Sequence, residues 1–266
     1  MTAVLRGVRD ALADRTAAVG EPLVTVGEGT VLVEVTHPEH GRLAGLAHRP
    51  PGEPGEFPTA VEDLVALATD AGAYLDRAVG VATLNALSAP DVDWQVGDPI
   101  AALSADVDTI ATVGLFGPAF RKFDAIEVRV VERDPPESVD AHDGVTVDLF
   151  RPEECERAFA GADVCFITGS TLIYDGLGGY LSVLSELGVA PVVLVGATAS
   201  HLPGPAFEAG VDAVAGARVT DSERAREHVA ADDCATDLHE VGVEKVYAAG
   251  GPLRGLTLDA PGSRKR

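Results

Sequence analysis

Two rhythms of apolar residues divide the chain. In the first third, VTVGEGTVLVEVTH and GRLAGLAHR carry β-branched and aliphatic residues broken by glycine, the pattern of strands. After the Pro-rich stretch PPGEPGEFP the period changes: Val61, Leu64, Val65 and Ala68 recur at helical spacing, predicting helices over about Thr59–Ala68 and Ala73–Ser88. Strands followed by helices predict a small α+β domain over residues 1–92. Around Asp91–Pro99 the run APDVDWQVGDP is polar and keeps neither period, which predicts a linker over 93–100. Beyond it, short continuous apolar strands at Thr109–Val113, Ile126–Val131, Val145–Leu149, Asp163–Ile167, Pro191–Val195 and Ala213–Ala215 alternate with segments that can be helical, at Pro152–Ala160, Gly176–Leu187 and Asp221–Ala230.

That alternation is the pattern of a parallel sheet covered on both faces. The fold class expected is α/β: a Rossmann-like, doubly wound parallel sheet over 101–250, preceded by the small α+β domain and followed by a flexible tail over 251–266. The N-terminal run MTAVLRGVRDALADRTAAVG puts Val4, Leu5, Val8 and Leu12 on one helical face, so it reads as an amphipathic helix rather than a signal peptide. No apolar run approaches the ~18 residues of a membrane span. Three cysteines without a pairing pattern suggest a reducing interior, and a cytoplasmic protein is expected.

Composition changes the picture through charge. Forty-two Asp plus Glu against 20 Lys plus Arg give a formal net charge of −22. A surface this acidic, without a basic stripe, repels phosphates, so nucleic acid is not an expected partner. The acids are spread along the chain rather than gathered in a tail, and lysine is confined to Lys122, Lys245 and Lys265, which favours a halophile-type surface over a basic partner.

In an open parallel sheet, ligands bind beyond the carboxyl ends of the strands, where loops run into helix N-termini. Four such loops carry candidate chemistry. In VGLFGPAF, Gly114 and Gly117 permit a tight turn, although the G-x-G-x-x-G fingerprint is absent. In VVERDPPE, Glu132 lies 18 residues after Gly114, where nucleotide-binding folds keep an acid for a ribose hydroxyl, and solvated loop acid is the alternative. Thr168, Gly169, Ser170 and Thr171 place more hydroxyls at a helix start than one cap requires, so they serve either capping or a ligand's polar edge. In VGATASHLPGPAF, Gly196 ends a strand and His201 follows as a candidate base. Metal-ligand spacing is poor: His37, His40 and His48 converge only if a hairpin gathers them, and Cys234 with His239 lacks the paired spacing of a zinc site. Cys155 and Cys165 read as packed thiols on a helix and a buried strand. The G-x-S-x-G, G-x-x-x-x-G-K-[ST] and H-E-x-x-H signatures are missing.

Read in order, AVGVATLNALSAP, GDP, VGLFGPAF, ADVCFITGSTLIYDGL, VVLVGATAS and GVDAVAGARVTDSE resemble the heavy-metal chelation domain family, a Rossmann-like domain of unknown function preceded by an enolase N-terminal-like domain. The resemblance spans roughly Asp10–Ala230. It implies a site in the cleft between the two domains, with the family's T-G-T-T-L-x-N element falling on Thr168–Leu172 and Tyr174–Asp175, and its helix-borne asparagine on Asn85. Asp175 stands where the family usually has Asn, which exchanges a carboxamide for a carboxylate. Asn85 sits in an apolar helical run, so its carboxamide either ties the helix to neighbouring backbone or reaches into the cleft.

Three functional readings follow. In the first, the protein binds a metal ion or a metal-chelating small molecule in the cleft, with Asp175 and Glu132 as candidate ligands, a divalent metal as candidate cofactor, and His201 or Asp175 as candidate base for a chelatase-like step. In the second, the sheet binds a nucleotide-type cofactor, S-adenosylmethionine or a nicotinamide, at Gly114, Gly117 and Glu132. In the third, the protein is a non-catalytic sensor of a small ligand. A homodimer is compatible with all three.

Overall fold

The computed structural model describes residues 3–16, 20–116, 126–232 and 237–258. After helices α1 (Ala3–Ala11) and α2 (Ala13–Thr16), three antiparallel strands form a sheet in the order β1 (Leu23–Val26), β2 (Thr30–His37), β3 (Gly41–His48). Helices α3 (Val61–Asp70) and α4 (Tyr74–Ser88) pack on it. The run YLDRAVGVATLNALS makes α4 apolar almost all round, and a helix of that kind must be enclosed. Its side chains from Ala78 to Ser88 are all buried, between the three-stranded sheet, α3 and the loop that follows strand 192–195. The approach to β3 is so close that a Cβ on Gly45 would stand 2.2 Å from the Ala82 carbonyl oxygen.

The second sheet has eight strands: β4 (Gln95–Val96), β5 (Thr109–Val113), β6 (Glu127–Val131), β7 (Thr146–Phe150), β8 (Val164–Thr168), β9 (Val192–Val195), β10 (Ala213–Val219) and β11 (Val243–Ala249), ordered β4-β11-β10-β9-β8-β5-β6-β7. From β7 through β10 all neighbours are parallel; β11 and β4 add antiparallel partners at one edge. Counted from β5, the parallel part reads 3-2-1-4-5-6, the order of doubly wound nucleotide-binding sheets, with its switch point between β5 and β8. Helices α5 (Cys155–Phe159), α6 (Leu177–Leu187), α7 (Gly204–Glu208) and α8 (Ser222–Ala230) connect the later strands. The mixed α/β architecture with a large, mostly parallel sheet is thus the class expected from the strand rhythm.

Burial on both faces explains why those strands are apolar without alternation. Along β8, Val164 and Phe166 enter one core cluster while Cys165 and Ile167 enter the other. The latter cluster also holds Val33 and Val35 of β2 and Leu84 of α4, so a single apolar core joins the N-terminal layer to the large sheet. Three differences from the sequence reading stand out. The segment expected as linker contributes β4, paired to β11, and buries Trp94 in the core. Strand β10 runs to Val219 because it pairs β9 only over Ala213–Ala215 but β11 over all seven residues. And 251–258 do not hang free: Leu256 is buried, bridged to Leu103, and Thr257 donates to the Ala102 carbonyl, while 259–266 lie outside the described residues.

Candidate functional site

The carboxyl ends of β5, β6, β8 and β9 open onto a cavity of about 460 Å³, closed from above by Gly29, Thr30, Ala47 and His48 of the N-terminal layer. It sits at the switch point of the sheet, where such folds take their ligands. Its floor begins with Gly114, which leaves β5 at φ 95°, a backbone conformation that side chains other than glycine rarely adopt. Beside it, β6 delivers Glu132 and Arg133. One Glu132 oxygen accepts the backbone N–H of Arg133 at 2.8 Å, which leaves the second oxygen for another donor. The Arg133 guanidinium lies over the Tyr174 ring, 3.9 Å from its centroid, and none of the ion pairs among the described residues involves it.

The turn after β8 is the hydroxyl-rich element. It is a 3-10 turn over Gly169–Leu172, and its hydroxyls are partly spent on its own geometry. Thr171 donates to the Thr168 carbonyl at 2.7 Å, and Thr168 and Ser170 share a hydrogen bond at 3.2 Å between their hydroxyl oxygens. Since each hydroxyl carries one hydrogen, that pair keeps one O–H free. Thr168, Ser170 and Thr171 all line the cavity, whereas Gly169 is buried against Thr198 and Ala199 behind it. From β9, Gly196 lines the opposite wall.

The loop after β9 is held by the N-terminal layer. The Asn85 amide nitrogen donates to the carbonyls of Leu46, Ala197 and Thr198 at 2.8, 3.2 and 3.2 Å. Leu202 donates its backbone N–H to Ser88, and the Thr198 hydroxyl accepts the backbone N–H of His48 at 2.8 Å. Asn85 is therefore a tie between α4, β3 and the loop, and does not line the cavity. His201 is wholly buried, its Nδ1 at 2.9 Å from the Leu202 carbonyl oxygen and its Nε2 without a partner; it lines no part of the cavity, so the base expected there is misplaced. Asp175 is also outside the lining. It has φ 64° and pairs at 3.0 Å with Arg77, which also donates to the Ile173 carbonyl. Burial opposes ionisation of Asp175, yet its cationic neighbours, Arg77 among them, outweigh it and hold the carboxyl below its ordinary range. Gly117 and Cys234 lie outside the described residues.

Several lining residues carried no signal in the sequence because register and layer packing put them there. Thr30 opens β2, is buried, and its hydroxyl has no partner. His48 closes β3 with an exposed outer edge, its Nε2 at 3.4 Å from the Tyr174 hydroxyl. Crowding against the cavity wall, then the Arg133 charge, lower its pKa, so the ring is neutral near pH 7. The hairpin brings the His37 and His40 rings to 4.7 Å, but His48 stands at the far end of β3.

A metal ion fits this donor set poorly. Glu132 is the carboxylate and His48 the imidazole that the lining offers, and a guanidinium beside them disfavours a cation. Among the described residues no three His, Cys, Asp or Glu side chains gather as a metal site.

Residues 99–247 match the family model described as "Putative heavy-metal chelation", DUF364, over more than half the chain. The chain belongs to this family. A DUF364 protein of unknown function from Pyrococcus horikoshii shares 18% identity and superposes with a TM-score of 0.77, covering 92% of this chain and 99% of its own. Another, from Desulfitobacterium hafniense DCB-2, shares 16% identity with a TM-score of 0.69 over 92% and 99%. At these identities the DUF364 structures speak to fold alone. No curated protein matches the chain, and no helix among the described residues is long and apolar enough to cross a membrane.

Proposed function

We propose that this DUF364 protein binds a small molecule of nucleotide type, carrying a ribose-like pair of hydroxyls and a flat or anionic group, in the cavity at the switch point. The observation that carries this reading is the meeting of Gly114, Glu132 and the Thr168–Thr171 turn on one cavity, with strand order 3-2-1-4-5-6 beneath it. The uncommitted Glu132 oxygen suits a sugar hydroxyl, as the acid ending the second strand does in doubly wound folds. Arg133, stacked on Tyr174, offers its other face to an aromatic base or its N–H groups to an anion. The free O–H of the Thr168–Ser170 pair supplies a polar contact.

The family's description favours a second reading, in which the ligand is itself a metal chelate. A metal enters the cavity then as part of a complex that brings its own donors, and the wall contacts the chelator rather than the ion. Free thiols at Cys155 and Cys165 suit the reducing cytoplasm in which we place the protein.

A thermal-shift and calorimetry panel of adenosine, S-adenosylmethionine, NAD and divalent metal salts separates the two. Adenosine-bearing compounds are expected to stabilise the protein, and Glu132→Ala to weaken their binding by about tenfold or more, the cost of a lost hydrogen bond to a charged group. Stabilisation by metal salts with no response to any adenosine compound would sink the nucleotide reading.

A further inference from the structure

Acidic side chains outnumber basic ones twofold in this chain, yet the cation that lines the cavity has no acid beside it. Arg133 follows β6 and is exposed. Among the described residues no carboxylate pairs with its guanidinium and no acceptor takes its side-chain N–H groups; its contact is the face of the Tyr174 ring. Even the adjacent Glu132 turns one oxygen to the Arg133 backbone N–H, at 2.8 Å, rather than to the guanidinium. His48, in the same wall, is neutral near pH 7, first through burial and then through the Arg133 charge itself.

An exposed arginine ordinarily samples many rotamers, and ordering it costs a ligand affinity. Here the order is built in. The guanidinium lies 3.9 Å from the centroid of Tyr174, the Tyr74 ring meets Tyr174 edge-on with centroids 5.0 Å apart, and the Tyr174 hydroxyl is 3.4 Å from His48 Nε2. Tyr74 opens α4, His48 closes β3, and Tyr174 follows the turn after β8, so this support forms only when the N-terminal layer meets the large sheet. Stacking occupies one face of the guanidinium and leaves the fork of N–H donors at its edge. A flat base on the other face would leave that fork unmatched. An oxyanion pairs with it, through hydrogen bonds about twice as strong as neutral ones. The free O–H of the Thr168–Ser170 pair, on the same cavity, is a further donor for such a group.

We infer, resting on the nucleotide-type reading above, that the ligand carries an oxyanion, a phosphate or a carboxylate, seated on Arg133, with Tyr174 as the residue that positions the guanidinium. Of the two groups left open there, the one beside Tyr174 is then the anion and not the base. A net charge of −22 repels every anion, so affinity gained by adding a phosphate or carboxylate has to come from donors at the site.

Adenosine, its 2′- and 5′-monophosphates and adenosine-5′-carboxylate, titrated calorimetrically against the full chain at equal ionic strength, test this and tell phosphate from carboxylate. At least one acidic derivative is expected to bind about tenfold more tightly than adenosine. Arg133→Gln should abolish that gain, and Arg133→Lys, which keeps the charge but not the fork, should restore part of it. Tyr174→Leu should shrink the gain while Tyr174→Phe, which keeps the ring, retains it; a full gain in Tyr174→Leu would remove the positioning role. No gain in any acidic derivative, or a gain that survives Arg133→Gln, would overturn the oxyanion seat. Inorganic pyrophosphate titrated in parallel keeps the two readings apart. Pyrophosphate binding that depends on Arg133, without any adenosine response, upholds the seat and removes the nucleotide; adenosine binding without a gain from an acidic group removes the seat alone; no binding of any probe removes both.

Discussion

Single side chains in this protein are most informative where they are buried and incompletely satisfied. His201 looked like a loop histidine with a base's prospects, yet the loop after β9 folds inward and leaves it with no exposed surface. Burial lowers its pKa from the ordinary value, against a smaller opposing effect of the Leu202 backbone. The sign follows: the unfolded chain takes up a proton near pH 6.5 and the folded chain resists it, so this contribution to stability is present above about pH 6.5 and is lost as pH falls through the folded pKa. The urea midpoint of the wild type should therefore fall more steeply between pH 7 and pH 5 than that of His201→Gln; parallel profiles would show that His201 is not a source of the acid sensitivity. Asp175 teaches a related lesson. A carboxylate at a usually neutral position invited a metal, and the partner it found was Arg77.

At the scale of elements, the seam between α4, β3 and the loop after β9 shapes the cavity. Asn85 was the polar residue that the apolar run VATLNALS could not explain by itself, and a tie to neighbouring backbone and a reach into the cleft were equally open. The structure resolves this: three carbonyls from two elements converge on one amide group. Removing that donor leaves buried carbonyls unpaired, so Asn85→Ala should cost about 1–3 kcal/mol in chemical denaturation. Asn85→Asp should cost at least as much, because a carboxylate facing carbonyls cannot donate. A loss under a few tenths of a kcal/mol in both would mean that the tie contributes little. Strand β11 was missed in the sequence because the adjacent charges Glu244 and Lys245 interrupt VEKVYAA, whereas the inner strands are continuous apolar runs; as an antiparallel strand near the sheet's edge it obeys a different rule from its neighbours.

For the whole molecule, a net charge of −22 means self-repulsion that any compact state must bear. Raising KCl from about 0.1 M to about 2 M shortens the screening length from ~10 Å to a few ångströms and should raise the melting temperature. A flat or falling melting temperature over that range would count against a surface adapted to salt.

The chain's pattern alone determined the class of fold, the places of the parallel strands to within a residue except for β10, which runs four residues further, and the residues at their carboxyl ends, because period and apolar continuity are local properties. It therefore found Gly114, Glu132, the Thr168–Thr171 turn and Gly196 on the cavity wall. Only the tertiary structure decided which polar residues reach that wall. Thr30 and His48 come from a separate sheet, Arg133 is set beside Glu132 just beyond the end of β6, and Asn85, His201 and Asp175 are taken up by contacts 98 to 113 residues distant or by burial itself. Those choices depend on which surfaces the two layers hide from water when they meet, and no local pattern encodes that meeting.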